Sequence, residues 1–569
     1  MTFTLPRRLL LLALVLLSPS SARGDGPKPH SLTRLVDAQA GLVIRIQNFK
    51  HNAPALLESR WTQAFLNSRL HASLRESEDV RKIIRAGKQF EEVTGEPLLD
   101  YLNSIFGEDV IVALFPDDDH SPYGVLYTAA ESDLALQKSI ARWKRLEPQS
   151  DLILKHNGVE YTARIPPREQ PSGKGKLFYC ALGRFFVLSD REQAVKSAID
   201  LHQAPHSKDR ESPPKSLDDA PSDSSAHDKL PRDFWISVYF SPPHWKRALG
   251  HLRDKSDGPE INALNFILKH SQNIILGLRF DEGLFARLLV TGDDATGAWL
   301  APFSAIAPNS VPQRPVHLPC IAVAHLQLPG GLAAPLLSSM LERKLPNWNH
   351  IRQILSGIFL GHDPLNEILP RIGPDWQLSL HPRENSDDPL ALPCELVASV
   401  NYQPGDLDSP AGKASAQSAL TNGLHSLLHL IALGESNKRQ PVEVDRRTAD
   451  RRTLWTISNH SKSIAALALD DSSLQIASTP ELVSIPPKHS LQESTLYRDS
   501  LAKHSPDALS SLWIHLPSLI AVLETQPNRD PEFLDFLQLF DLFWITLRID
   551  EGGIRIEAAA QKLAEPAQP

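Results

Sequence analysis

Cysteine is scarce: the 569 residues contain only Cys180, Cys320 and Cys394. None stands in a CxxC or a Cys/His ligand spacing, which excludes the usual structural zinc sites. The odd number leaves at least one thiol unpaired. All three lie in apolar, strand-like runs, LFYCALG, LPCIAVAHL and LPCELVASV. Cys320 and Cys394 can pair only if their strands are neighbours; the alternative is three buried thiols acting as small hydrophobes. Glycine is scarce beside proline, 28 against 46, which points to fixed turns and helix starts rather than flexible linkers. Positive charge is not in excess. A net charge of -8 argues against nucleic acid as a partner, because phosphate binding needs a positive surface. GxSxG, Walker A, GxGxxG and papain-like cysteine contexts are all missing, and no cofactor, metal or catalytic residue is assigned.

What the chain does have is a normal globular balance, with 41% hydrophobic and 22% charged residues. Its length exceeds one ordinary domain and suffices for two cores. The N-terminus reads as a secretory signal peptide over 1–22. Arg7 and Arg8 form the charged region, Leu9 to Leu17 the apolar core, and Ser20 and Ala22 the small-residue cleavage pattern. The apolar core is about half of the roughly 20 residues needed to cross a bilayer. No later run reaches that length, so no membrane span is expected after cleavage. The expected location is periplasmic or extracellular.

Comparing the chain with itself reveals an internal repeat. IFGEDVIVALFP (105–116) aligns with RIGPDWQLSLHP (371–382), placing Gly107, Asp109 and Pro116 against Gly373, Asp375 and Pro382. EPLLD (96–100) aligns with DPLNE (363–367), and LSDREQAV (188–195) with ASTPELV (477–483). DFWISVYFSP (233–242) aligns with SLWIHLPSL (511–519), pairing Trp235 with Trp513. LRFDEG (278–283) aligns with LRIDEG (547–552). The matches keep one order, so the expected architecture is a tandem duplication: a first unit over 32–299, a proline-rich linker over 300–315 and a second unit over 316–561.

Each unit reads as α+β, an antiparallel sheet covered on one face by helices. The opening strand is 41–49. Glu96-Pro97 and Asp363-Pro364 are read as helix caps rather than catalytic groups. Gly107 is read as a left-handed helix end. Asn157-Gly158 is the favoured two-residue hairpin turn of the segment 152–165, whose counterpart is 442–458. Residues 203–233 are polar and proline-rich and are read as a disordered loop.

Few motifs suggest chemistry. His425 and His429 share a helix face at metal-ligand spacing, but Ser426 stands where a metalloprotease carries its general base. Asp117, Asp118, Asp119 and His120 form an acidic run that lacks the spacing of a calcium loop and reads as a solvated turn. Arg446, Arg447, Arg451 and Arg452 flank a hairpin turn beside Asp445 and Asp450, a pattern read as cross-strand ion pairs rather than an anion site. Trp235 and Trp513 are read as packing residues.

The order of FGEDV before a strand, then NGVEYTARI, then YCALGRFFVLSDREQAVKSAI resembles exported bacterial proteins grouped as domain of unknown function 3352. In that family a block of the form a-lGd-flvlS precedes a helix; here it is Ala181 to Ile199, with Arg184 where an acidic residue is common. The second unit departs further, with Leu469-Asp470-Asp471 at this turn. The resemblance implies export and carries no catalytic residue. The expected function is a non-catalytic envelope protein that binds a ligand or partner or serves a structural role. The alternative is a secreted hydrolase whose serine, histidine and acid are dispersed along the chain.

Overall fold

The computed structural model describes residues 32–562, apart from short breaks and longer ones at 53–57, 166–175, 205–214, 220–233, 246–267, 307–314, 384–393, 403–409 and 499–507. Residues 1–22, read as a signal peptide, lie outside the described residues. The chain divides into two compact units, 1–299 with 552–569, and 300–551. It is an α+β protein, and among the described residues the strand pairings within each unit are antiparallel.

In the first unit the strands are β1 (Leu42–Gln47), β2 (Asp109–Phe115), β3 (Tyr123–Ala129), β4 (Ser150–His156), β5 (Val159–Ile165), β6 (Leu177–Leu182), β7 (Phe185–Ser189), β8 (Ile236–Phe240), β9 (Ser271–Phe280) and β10 (Gly283–Gly292). Their order across the sheet is β4-β5-β6-β7-β3-β2-β1-β8-β9-β10. The second unit holds β11 (Ala322–Gln327), β12 (Ile372–Pro382), β13 (Cys394–Tyr402), β14 (Val442–Ala449), β15 (Arg452–Asn459), β16 (Lys462–Leu469), β17 (Ser473–Ala477), β18 (Ser510–His515) and β19 (Leu542–Asp550). Their order is β14-β15-β16-β17-β13-β12-β11-β18-β19. Strand for strand, this repeats the order of the first unit. The last strand, β20 (Gly553–Gln561), groups with the first unit because its ladder runs along β10 from Gly283 to Thr291.

Several small features recur with the strands. Ser216 bridges Asp37, and Ser490 bridges His317. The next residues, Leu217 and Leu491, are both buried, and each donates its N–H to the carbonyl of a valine, Val36 or Val316. Leu217 lies inside the stretch read as a disordered loop. Lys215 to Asp219 are therefore a correction: one apolar side chain suffices to pin this part of a polar segment into the core. Gly107 and Gly373 both take positive φ, +33° and +103°. A Cβ would lie 2.8 Å from the Ala129 carbonyl oxygen at the first and 2.7 Å from that of Leu328 at the second. Gly107 has ψ −94°, so it does not adopt the left-handed helical cap expected for it. Asn157 and Gly158 both have positive φ, as their hairpin turn requires.

The helices do not keep to one face of the first sheet. Helix Glu192–Gln203 sets Ala194, Val195, Ala198 and Ile199 among Cys180, Leu182 and Val187. Helix Asp133–Leu146 sets Leu136 and Ile140 against Tyr179 and Phe186. Successive strand residues point to opposite faces, so these helices cover opposite sides. In the second unit, helix Pro410–Glu435 packs Leu420 and Leu428 onto Trp455, Leu467 and Leu469. Residues 300–304, read as the start of a linker, instead complete helix Asp294–Ser304, with Leu300 buried. Residues 307–314 of that linker lie outside the described residues.

Trp235 and Trp513 are not structural counterparts. Arg45 faces Ser237 across β1 and β8, while His325 faces Ser511 across β11 and β18. This register sets Tyr239 against Trp513 and Trp235 against Leu509. The sequence alignment slid by four residues, two strand repeats, because Trp235 stands just before β8 and Tyr239 near its end.

Candidate functional site: a polar row on the second sheet

Asp109 and Asp375, which the sequence comparison aligns, both stand opposite a glutamine, Gln47 on β1 or Gln327 on β11. Each also meets a basic residue two positions earlier on that strand. Arg45 Nη2 lies 2.6 Å from Asp109 Oδ2, with both side chains about a fifth exposed, at 19% and 18%. At the corresponding place His325 Nε2 lies 3.7 Å from Asp375 Oδ1. That separation is too long for a hydrogen bond. Asp375 instead accepts one from Asn401 Nδ2 at 2.6 Å.

The His325 side chain is only 2% exposed, and neither ring nitrogen has a hydrogen-bond partner among the described residues. Burial holds the ring below its ordinary pKa, while the Asp375 charge acts in the opposite direction. The imidazole is therefore neutral near pH 7, with one nitrogen a donor and the other an acceptor. An unpaired buried polar group costs roughly 1–3 kcal/mol.

Residues opposite one another in an antiparallel ladder share a face. Thr546, Ser511, His325, Gln377, Ser399 and Gln475 are successive opposites on β19, β18, β11, β12, β13 and β17. They form one polar row across the sheet. The Ser399 hydroxyl likewise has no partner among the described residues. In the first unit the same row continues from Arg45 as Ile111, Tyr127 and Val187. All three are buried in the main apolar core. The second unit thus carries polar side chains at positions that the first fills with hydrophobic ones.

The other sequence motifs resolve into local structure. Trp455 Nε1 donates to His425 Nδ1 at 3.2 Å, and the His425 and His429 rings meet edge to face. His425 Nδ1 is thereby occupied, and no group of three or more metal-ligating side chains occurs among the described residues. Asp118, Asp119 and His120 lie outside the described residues, as do Asp450 and Arg451. Arg447 pairs with Asp445 of its own strand at 2.9 Å, not across the hairpin. Two residues apart on a strand, they share a face. Arg446 lies over the Trp455 ring, and Arg452 bonds Gln475 and the Val483 carbonyl. Asp363 caps the turn Pro364–Ile368 by accepting from Leu365 and Asn366 N–H, and it pairs with Arg352. Glu96 makes no such cap; it pairs with Arg142, and Pro97 occupies the cap position of helix Leu98–Phe106. All three cysteines are free.

Two serine–histidine contacts bear on the hydrolase alternative. Ser379 Oγ lies 2.9 Å from His381 Nε2, but both side chains are buried, and His381 Nδ1 bonds the Pro319 carbonyl rather than a carboxylate. His515 Nδ1 bonds Ser518 Oγ at 2.7 Å in the first turn of helix Leu516–Glu524. The first contact joins two positions of one strand and the second closes a helix start.

The polar row escaped sequence reading because His325 lies in the run LPCIAVAHL, which reads as an apolar strand. Aligning LVIRIQ with AVAHLQ on their terminal glutamines would have set His325 against Arg45. No helix among the described residues is long and apolar enough to cross a membrane. No protein-family model, curated protein or solved structure matches the chain.

Proposed function

We propose that the protein is an exported, non-catalytic binding module of the bacterial envelope, made of two copies of one α+β unit. The first copy serves as scaffold, and the second binds a small polar ligand on its sheet. One observation carries this reading. Where the first unit has the buried Ile111, Tyr127 and Val187, the second has Gln377, Ser399 and Gln475 in one row with the unbonded ring of His325. Buried polar groups in native proteins are bonded, and a row offering donors and acceptors suits a ligand that presents both. The signal-peptide pattern and the resemblance to exported proteins support the location. The common strand order and the recurring Leu217 and Leu491 anchors support the duplication. The hydrolase alternative draws no support from the two serine–histidine contacts, each of which serves its own strand or helix.

Native mass spectrometry of the protein isolated from its own envelope tests the reading. The wild type is expected to retain a non-covalent small molecule that Gln377→Leu loses. Equal ligand content in the two proteins, or none in either, contradicts it.

A further inference from the structure

Both sheets end in a hairpin strand, and the two edges differ in chemistry. The edge β14 reads VEVDRRTA and sets Glu443, Asp445, Arg446 and Arg447 along a mostly exposed strand. Charges on an edge strand discourage pairing with another chain. The corresponding edge β4 reads SDLILKH. Its centre is apolar and open: Leu152 is 50% and Ile153 64% exposed. Among the described residues its one ladder partner is β5.

The backbone of β4 is oriented for a second strand. In a two-residue hairpin the residues flanking the turn, here His156 and Val159, exchange hydrogen bonds. Bonding alternates along an antiparallel pair. Leu154 and Leu152 therefore also turn their backbone groups toward β5. Lys155, Ile153 and Asp151 turn theirs to the free edge.

The sequence of β4 complements itself about Ile153. When two copies run antiparallel across a two-fold axis through that residue, Ile153 faces Ile153, Leu152 faces Leu154, and Asp151 faces Lys155. Hydrophobic groups meet in the middle, and opposite charges meet on both sides. The axis also passes through a residue whose N–H and carbonyl point outward, as a hydrogen-bonded pair requires. Lys155 can serve such a contact, since its present partner, Glu160 at 3.2 Å, is as exposed as the lysine itself. Asp151 is held in place by Lys144 at 2.9 Å and Arg164 at 3.5 Å.

We propose that β4 is a dimerisation edge at which a second copy of this chain pairs antiparallel, centred on Ile153. An isologous contact of this kind closes on itself and does not propagate into fibres.

Sedimentation velocity of the mature chain from about 1 to about 100 μM, the range of modest association constants, tests this. The wild type is expected to show a concentration-dependent monomer–dimer equilibrium. Ile153→Lys sets two ammonium groups across the axis, and Lys155→Asp sets carboxylates against Asp151. Each should weaken association about tenfold or more, since like charges directly opposite are unfavourable. Lys155→Arg should leave association unchanged. Circular dichroism should confirm that the variants are folded, because both side chains are exposed. Ile153→Cys should form an intermolecular disulfide on mild oxidation. A wild type that is monomeric throughout, a dimer indifferent to Ile153→Lys and Lys155→Asp, or a failure of Ile153→Cys to cross-link in a dimeric sample would overturn the proposal.

Discussion

His325 lies 3.7 Å from Asp375 at the position where Arg45 grips Asp109 in the first unit. One carboxylate on one strand thus meets a bonded guanidinium in one unit and an unbonded, buried imidazole in the other. The two pairs respond differently to mutation. Asp109→Ala strips Arg45 of its partner in a largely buried place and should cost about 2 kcal/mol, between the values for exposed and buried pairs. His325→Leu removes a buried polar group that has no hydrogen bond to lose and should stabilise the protein by about 1–3 kcal/mol at pH 7.5. Urea unfolding of the two variants measures both values.

Acid should destabilise the second unit. Burial holds His317, His325, His381 and His515 below the ordinary histidine value of 6.5. For a base whose folded pKa is depressed, the unfolded chain takes up protons first as pH falls. Stability is therefore complete above about 6.5 and declines below it, by at most about 1.4 kcal/mol per pH unit for each histidine. Denaturant midpoints at pH 7.5 and pH 5 read the effect. His381→Leu should reduce the pH dependence, and a pH-independent midpoint would show that these rings are not buried neutral.

The matched glycines should resist substitution equally. At Gly107 and Gly373 a Cβ meets backbone carbonyl oxygen within 3 Å, and φ is positive. Gly107→Ala and Gly373→Ala should each cost about 1–3 kcal/mol. Gly95 also has positive φ but faces open space, so Gly95→Ala should cost less. Thermal melts of the three variants give the ranking.

Much of the fold was legible from the sequence because its signals are local. The Asn157-Gly158 turn, the helix after β7 and the glycine–acid step at the start of β2 and β12 need no distant information. The Leu217 anchor was hidden because its burial depends on Val36, far away in sequence. The error over Trp235 and Trp513 had the same origin: register between β1 and β8 decides which residues correspond, and aromatic identity does not. The polar row was illegible for that reason as well. Gln377, Ser399 and Gln475 stand on three strands with no common motif, and only their pairing sets them in one row with His325.

Thiol reactivity should follow burial. The Cys180 and Cys320 thiols are each pushed up to about 12 by burial, and Cys320 Sγ also donates to the Ala322 carbonyl. Cys394 is partly exposed. Iodoacetamide at pH 8 should label Cys394 in the native protein and reach Cys180 and Cys320 only after unfolding, as peptide mapping would show. Rapid native labelling of Cys180 would contradict the burial of β6.

The central claim, a ligand site at the polar row, is tested most directly at His325 itself. Its ring nitrogens can be followed by NMR of 15N-histidine-labelled protein, with the signal assigned by its loss in His325→Leu. The probe is the low-molecular-weight fraction of an extract of the source cells. The account predicts that the His325 ring signals shift on addition of the fraction while those of His156, on β4 of the first unit, stay in place. Ring signals of His325 that do not move, or that move no more than those of His156, would contradict it.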